Sequence, residues 1–581
     1  MSRLPNPSGQ SHTVTELQQS ITINKSLFYA LSLSISVLLS AATYTSYKLY
    51  HEIKRLKQLT NNNNMSHSNI NGDTQYNNNN NQNVKFDDKV QSFATQSEFD
   101  QYVADEQSYY DDQNNNNDID YYKDTNPMHD KTARDAQRYS ADGLQLAIIV
   151  VDPISTGANI AHEVSRRGFQ VISLLSGFLS DTLLNLIDPS IKVEYAAIIT
   201  HNLDKPDDTI IRLHNLKNLH IVGLITGSEP GVEVAEEIAE KLGLPGNGTI
   251  GSEARRDKYL MGESIRAAGI RAVQQRKCNT WEQVDEFINE WNPVPFKVVI
   301  KPVKSAGSDH VYLCESVDEL KLRFDTILGH NNQLGFMNDC VLIQEYLSGS
   351  EYVVDTVSLN GHHKVAAIWK YDKRKHAGYN FVYYGQEAVD TSQSFCSDMS
   401  EYLFRVLDAV GIHDSAGHAE VILTETGPCL VEVGARSQGG EGTFIPLANM
   451  TWGYNQVEMV VAAQISVDEF NLYPDTLAAG LMIYGYKVDL VSGVSGKLIK
   501  LQHLDKIEQL ESFIKFDFLP VPGQQIHITI DCFTEPGSLT LAHKHKSQLD
   551  SDLAKLREYE QTMFVVEPGT EDVSVEQGLI N

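Results

Sequence analysis

The sequence has no CxxC pair, no clustered histidines and few basic side chains. Its six cysteines (Cys278, Cys314, Cys340, Cys396, Cys429 and Cys532) lie far apart. That spacing excludes a zinc-ligand set and a dense disulfide framework, and fits reduced, buried thiols in a reducing compartment. Lysine and arginine together number 47 against 76 acidic residues, a formal charge of −29. A surface of that sign repels phosphate backbones, so no nucleic acid is expected as a partner. Any phosphate the protein holds must be bound by a few placed lysines and backbone amides.

Apolar residues are unevenly spread. Residues 27–47, LFYALSLSISVLLSAATYTSY, carry no charge and as a helix would span about 31 Å, close to a bilayer core. A single transmembrane anchor is expected there, behind an N-terminal tail over 1–26. Arg3 and Lys25 precede the run and Lys48, Lys54, Arg55 and Lys57 follow it, a bias that puts the C-terminal bulk in the cytosol. Residues 48–142 contain asparagine runs at 61–64, 77–81 and 114–117 with few aliphatic side chains. Such a segment buries too little apolar surface to offset its ordering entropy, and a disordered tether is expected.

Folded patterning begins near residue 143. LQLAIIVVD (144–152) is a continuous apolar run, the mark of a strand buried on both faces. Further strand-like runs at 170–176, 195–200 and 220–228 alternate with helical patterns, which predicts a parallel α/β sheet over 143–250. The first turn offers only Gly157 and no GxGxxG, so a dinucleotide site is not expected.

Four later segments carry the chemistry. SEARRDKYLMGESIRAAGI (252–270) predicts a helix capped by Ser252, ended at Gly269 and presenting Lys258. KVVIKPVKSAGSDHVYL (297–313) predicts a strand bearing Lys301, then a small-residue loop of Lys304, Ser305, Ala306, Gly307, Ser308 and Asp309, then a second strand. Two lysines and free loop amides are what a triphosphate needs. VLIQEYLSGSEYVVDTVSL (341–359) offers Gln344 and the backbone of Glu345 and Leu347 to an adenine edge, and Glu351 to ribose hydroxyls. GHAEVILTETGPCLVEVGARSQGGEGT (417–443) places Glu420 and Glu432 on two apolar strands joined at Gly427–Pro428. Two inward carboxylates repel unless a hard cation such as Mg²⁺ or Mn²⁺ neutralises them. Arg436 follows the second strand, placed to stabilise negative charge, and Ser437–Gly440 offer backbone amides to a carboxylate. Taken singly, each segment also reads as an ordinary hairpin or turn.

Taken in order, Lys258, Lys301 with its loop, QEYLSGSE, AEVIL and VEVGAR resemble the ATP-grasp superfamily, most of all the carboxylate–amine ligases that include L-amino-acid ligases and carnosine synthases. The resemblance covers residues 143–581. It implies a Rossmann-like pre-ATP-grasp domain (143–250), a two-lobed α+β ATP-grasp domain (251–465) and a small C-terminal lobe (466–581). It also implies ATP and Mg²⁺ (or Mn²⁺) as cofactors, with phosphate contacts from Lys258, Lys301 and 304–308 and nucleoside contacts from Gln344, Glu345, Leu347 and Glu351. Glu420 and Glu432 would bind the metal, and Arg436 with Lys301 would serve the reacting centre. The implied activity is ADP-forming ligation of a small carboxylate to an amine, with a homodimer compatible. One departure stands out: many members read Glu-x-Asn-x-Arg, and the Asn position here is Gly434. The hairpin 370–385, with Lys370, Arg374 and His376, is expected on the acceptor side. An inactive ATP-binding module and a membrane-tethered scaffold are the competing readings, and no MKM-type biotin attachment sequence is present.

Overall fold

The computed structural model describes residues 138–179, 191–305, 307–333 and 335–567. The anchor expected at 27–47 and nearly all of the 48–142 tether lie outside them. No helix among the described residues is long and apolar enough to cross a membrane.

The first layer is a parallel sheet of β1 (Gln145–Val151), β2 (Gln170–Leu175), β3 (Tyr195–Thr200) and β4 (Leu219–Thr226), in the order β3-β2-β1-β4. Helices Thr156–Arg166, Pro206–His214 and Val232–Leu242 connect or follow its strands. Ala147 to Val151 are fully buried, which is why β1 reads as an unbroken apolar run rather than an alternating one.

The second sheet is antiparallel: β5 (Gln275–Cys278), β6 (Val298–Lys301), β7 (Tyr312–Cys314) and β8 (Val341–Glu345), ordered β5-β8-β6-β7. Val298, Ile300, Val341 and Ile343 pack with Val284 and Phe287 of helix Trp281–Trp291 and with Leu320 and Phe324 of helix Val317–Ile327. Successive strand side chains point to opposite faces, so Val299, Lys301 and Gln344 turn the other way, towards the cleft.

The third sheet has eight strands. β9 (Gly349–Leu359), β10 (His362–His376), β11 (Tyr379–Ala388), β12 (Ala416–Thr424) and β13 (Gly427–Gly434) form one half. β14 (Tyr484–Asp489), β16 (Phe513–Phe518) and β18 (Ser538–His543) extend it, in the order β13-β12-β9-β10-β11-β14-β18-β16. β15 (Gly496–Leu501), β17 (Gln525–Ile526) and β19 (Phe564–Val566) make a small sheet beside it. The C-terminal residues thus prolong the large sheet through the β11–β14 pairing. Strands β8 and β9 belong to different sheets, so residues 346–348 cross from one lobe to the other.

One expected element is corrected. Ser252 does not cap a helix; its hydroxyl bonds Glu236, which also holds the buried Arg255. A 3-10 turn, Glu253–Arg255, comes first, and the helix Lys258–Ala267 is capped by Asp257, whose carboxylate accepts from the Tyr259 and Leu260 N–H groups. The nearer capping acid wins because Ser252 is already committed to Glu236. All six cysteines are free, five of them buried and Cys532 exposed.

Candidate active site

A cavity of about 370 Å³ lies between the second and third sheets. Lys258, Lys301, Ser305, Gly307, Ser308, Gln344, Glu345, Leu347, Glu351, Glu420 and Glu432 all line it. Glu420 and Glu432 sit directly opposite one another across β12–β13. Residues paired this way in an antiparallel ladder share a face. That face is the cavity side, because the neighbours Ala419, Val421 and Val433 are buried in the core behind it.

Lysines compensate the acids. Lys258 Nζ lies 2.8 Å from Glu432 Oε2 and donates to Ser305 O at 2.5 Å. Lys373 Nζ lies 2.6 Å from Glu351 Oε1 and 3.7 Å from Glu420 Oε2, over the faces of Tyr371 and Tyr383. Sequence reasoning missed Lys373. It named the hairpin but chose Lys370, Arg374 and His376, and only the position of Lys373 two residues beyond Tyr371 on the cavity face of β10 could have marked it.

The electrostatics follow from burial. Removal from water pushes Lys301 down to about 8, with Lys258 adding to the fall and Glu432 and Glu420 opposing it. Burial also raises Glu351 to about 7, because the nearby Glu420 adds to the rise while Lys373 only partly opposes it. Burial would raise Glu420 too, but Lys373 and then His418 outweigh it and hold that carboxylate down. Titratable groups displaced in opposite directions within one cleft are a mark of functional sites.

The remaining residues occupy distinct surroundings. Gln344 donates to Gln275 Oε1 at 2.9 Å. The Glu345 carboxylate holds Arg271 at 2.7 Å and the Gln274 N–H at 2.9 Å, and its own N–H is given to Gln274 O. Leu347 packs with Val273 and Cys429. Lys304 turns away to Glu233 at 3.3 Å and is absent from the cavity lining. Ala306 lies outside the described residues. Gly307 has φ +69, and a Cβ there would come 2.2 Å from Cys532 Sγ, so the loop tip rests on the C-terminal region with no room for a side chain. Arg436 lies outside the cavity lining; its Nε is 2.8 Å from Glu229 Oε2. In the β10–β11 hairpin Lys370 lines the cavity, Arg374 pairs with Asp372, and His376 meets Tyr384 and Ser492 O.

The donor set fits a hard divalent cation: two carboxylates in register offer oxygen ligands, which suit Mg²⁺ or Mn²⁺. Among the described residues no group of three or more His, Cys, Asp and Glu is gathered in ligating geometry. An ion on Glu420 and Glu432 would complete its shell from phosphate and water, as Mg²⁺ usually does.

Residues 294–444 match the ATP-grasp domain family. Over 423 residues the chain is 25% identical to dapdiamide A synthase of Enterobacter agglomerans, covering 72% of this chain and 96% of that protein. It is 20% identical over 283 residues to alanine–anticapsin ligase of Bacillus subtilis, 44% of this chain and 57% of that one. The crystal structure of an L-amino acid ligase from Bacillus licheniformis superposes with a TM-score of 0.57 at 16% identity, covering 74% of this chain and all of that one. Residues 294–444 thus carry an ATP-grasp domain, and the chain is similar over most of its described length to ligases of the carboxylate–amine type. ADP-forming carbon–nitrogen ligation with ATP and Mg²⁺ is the chemistry of that class.

Proposed function

We propose that the chain joins an amino acid or a related small carboxylate to an amine through an acyl phosphate. The observation that carries this reading is the register of Glu420 opposite Glu432 in one cavity with Lys258 and Lys301. The names of the relatives, a dapdiamide synthase and a ligase of alanine with anticapsin, support the amino-acid class.

On this reading Lys258 and Lys301 bind the phosphates of ATP, and Lys258 exchanges Glu432 for them. Mg²⁺, when held by Glu420 and Glu432, supplies further neutralisation of phosphate charge. A substrate carboxylate oxygen bonds to the γ-phosphorus while the bond to the β,γ-bridging oxygen breaks, releasing ADP. The neutral amine nitrogen then bonds to the acyl carbon, the carbon–oxygen bond to phosphate breaks, and the proton lost by nitrogen leaves on inorganic phosphate. Arg436 offers positive charge to the oxyanion of that second step. Closure of the lobes keeps water from the acyl phosphate.

Hydroxylamine tests the reading. Full-length protein in detergent, given ATP, Mg²⁺ and single amino acids, is expected to form hydroxamate and ADP together. ATP binding with neither product, across a broad panel of carboxylates, would sink the ligase and favour an inactive nucleotide-binding module. Residues 27–47 on this reading anchor the enzyme with its catalytic part in the cytosol, supported by the uncharged run and the basic residues after it. Protease protection in sealed membranes tests that orientation, and cleavage of the C-terminal part only from the opposite side would reverse it.

A further inference from the structure

We propose that Glu229, reaching in from the end of the parallel sheet, is the positioning residue for Arg436, and that the glycine at 434 exists to admit it. This rests on the ligase reading for what Arg436 does, but not for where it is held.

Glu229 follows β4 and opens a short 3-10 turn, Glu229–Gly231. Its Oε1 pairs with Arg256 and its Oε2 lies 2.8 Å from Arg436 Nε. The second contact is an ion pair by distance rather than an aligned hydrogen bond, for Oε2 has no bonded donor. Arg436 is also tied through Nη1 to Ser437 O at 2.9 Å. The guanidinium is therefore fixed on two sides, by a carboxylate from the first domain and a carbonyl of its own loop.

Gly434 makes this possible. A Cβ at that position would stand 2.7 Å from Glu229 Oε2 and 3.3 Å from Arg436 Cζ. The glycine is not among those with positive φ, so what it supplies is space and not an unusual backbone conformation. A side chain at 434, such as the asparagine of the Glu-x-Asn-x-Arg pattern, cannot coexist with Glu229 where it stands. The carboxylate does not replace that amide as a metal ligand: it is committed to two guanidiniums, and no third acid joins a ligating group among the described residues.

The cluster adjoins the cleft. Burial would raise Glu229, but Arg256, Arg436 and then Lys258 hold it down at about 2. Lys258 is the lysine that pairs with Glu432, so the fixed guanidinium and the exchangeable lysine share one electrostatic neighbourhood. An arginine left without its carboxylate would sample many rotamers, and the planar fork would meet the developing oxyanion only in a fraction of turnovers.

Glu229→Gln in the full-length protein should lower kcat for amide formation on the order of 10²-fold while leaving the ATP KM within about 2-fold. In an Arg436→Lys background the same change should add less than about 3-fold, since residues acting as a unit are non-additive. A merely structural role would give a loss that multiplies in both backgrounds, and that result, or an unchanged kcat, would overturn the assignment. Gly434→Ala keeps every charge and crowds the Glu229 carboxylate most closely, with Arg436 less so, so it covers the case in which Glu229→Gln does not fold; it should show the same split. Hydroxamate formation by the unmodified protein tests the ligase reading separately. If none forms, the crystal structure of Glu229→Gln decides the clamp: Arg436 leaving Ser437 O supports it, and Arg436 staying in place overturns it.

Discussion

Two clusters of buried charge lie side by side and are built from different cations. In the cleft, Lys258, Lys301 and Lys373 face Glu351, Glu420 and Glu432. Behind it, Arg256 and Arg436 hold Glu229. A lysine is a compact charge on a flexible stem that can leave one anion for another, whereas arginine's planar fork fixes geometry. On the proposed function, the contrast separates groups that change partners when nucleotide binds from groups that hold still. The displaced pKa values agree: Lys301 and Glu351 sit at about 8 and about 7, while Glu229 sits at about 2.

The sharpest way to break the contrast is to remove a cleft acid. Glu432→Gln should reduce turnover by at least about 10³-fold, because several kcal/mol of charge stabilisation go with the metal ligand. Its melting temperature should change little, since the acid is partly exposed and only Lys258 loses a partner. Turnover within tenfold of the unmodified protein would remove Glu432 from the metal site. Lys373→Met should cost about 10²-fold in kcat and weaken the dependence on Mg²⁺, leaving Glu351 and Glu420 to share one proton. A purely structural lysine would instead lower the melting temperature and leave kcat per folded molecule intact.

The clamp is distinguished by acid titration. Glu229 is depressed on folding, so its contribution is present in full above the unfolded value of 4.5 and is lost as pH falls towards about 2. Against Glu229→Gln, the unmodified protein should be more stable by about 3 kcal/mol at pH 7, and the two should converge near pH 2. Denaturant titrations across that window check it, and a gap that stays constant would show that charge is not what the pair contributes. The smallest effect belongs to Lys304→Ala, which should change kcat and KM by less than about 3-fold, because this half-exposed lysine serves Glu233 rather than the cavity.

What could be read from the sequence was local. The unbroken run at 144–152, the alternation that turns Lys301 away from Val298 and Ile300, and the two acids flanking Gly427–Pro428 each follow from short-range periodicity. The structure draws them out as β1, β6 and the Glu420–Glu432 register. What escaped was long-range or competitive. Glu229 meets Arg436 across two hundred residues of chain, for which no local pattern exists. Ser252 had the chemistry of a cap, but its partner Glu236 lies on an earlier helix. Lys304 and Lys301 look alike in sequence, and only the turn between them sends one to Glu233. The membrane segment, lying outside the described residues, stands on its composition.

The crossing at residues 346–348 has a mechanical consequence. Three residues of fully extended chain reach only about 10 Å, so the floor and the roof of the cleft can tilt on this tether but cannot drift apart. A base seated against Leu347 would rest on the axle itself. Small rotations there would swing the distant lysine-bearing loop through a much larger arc.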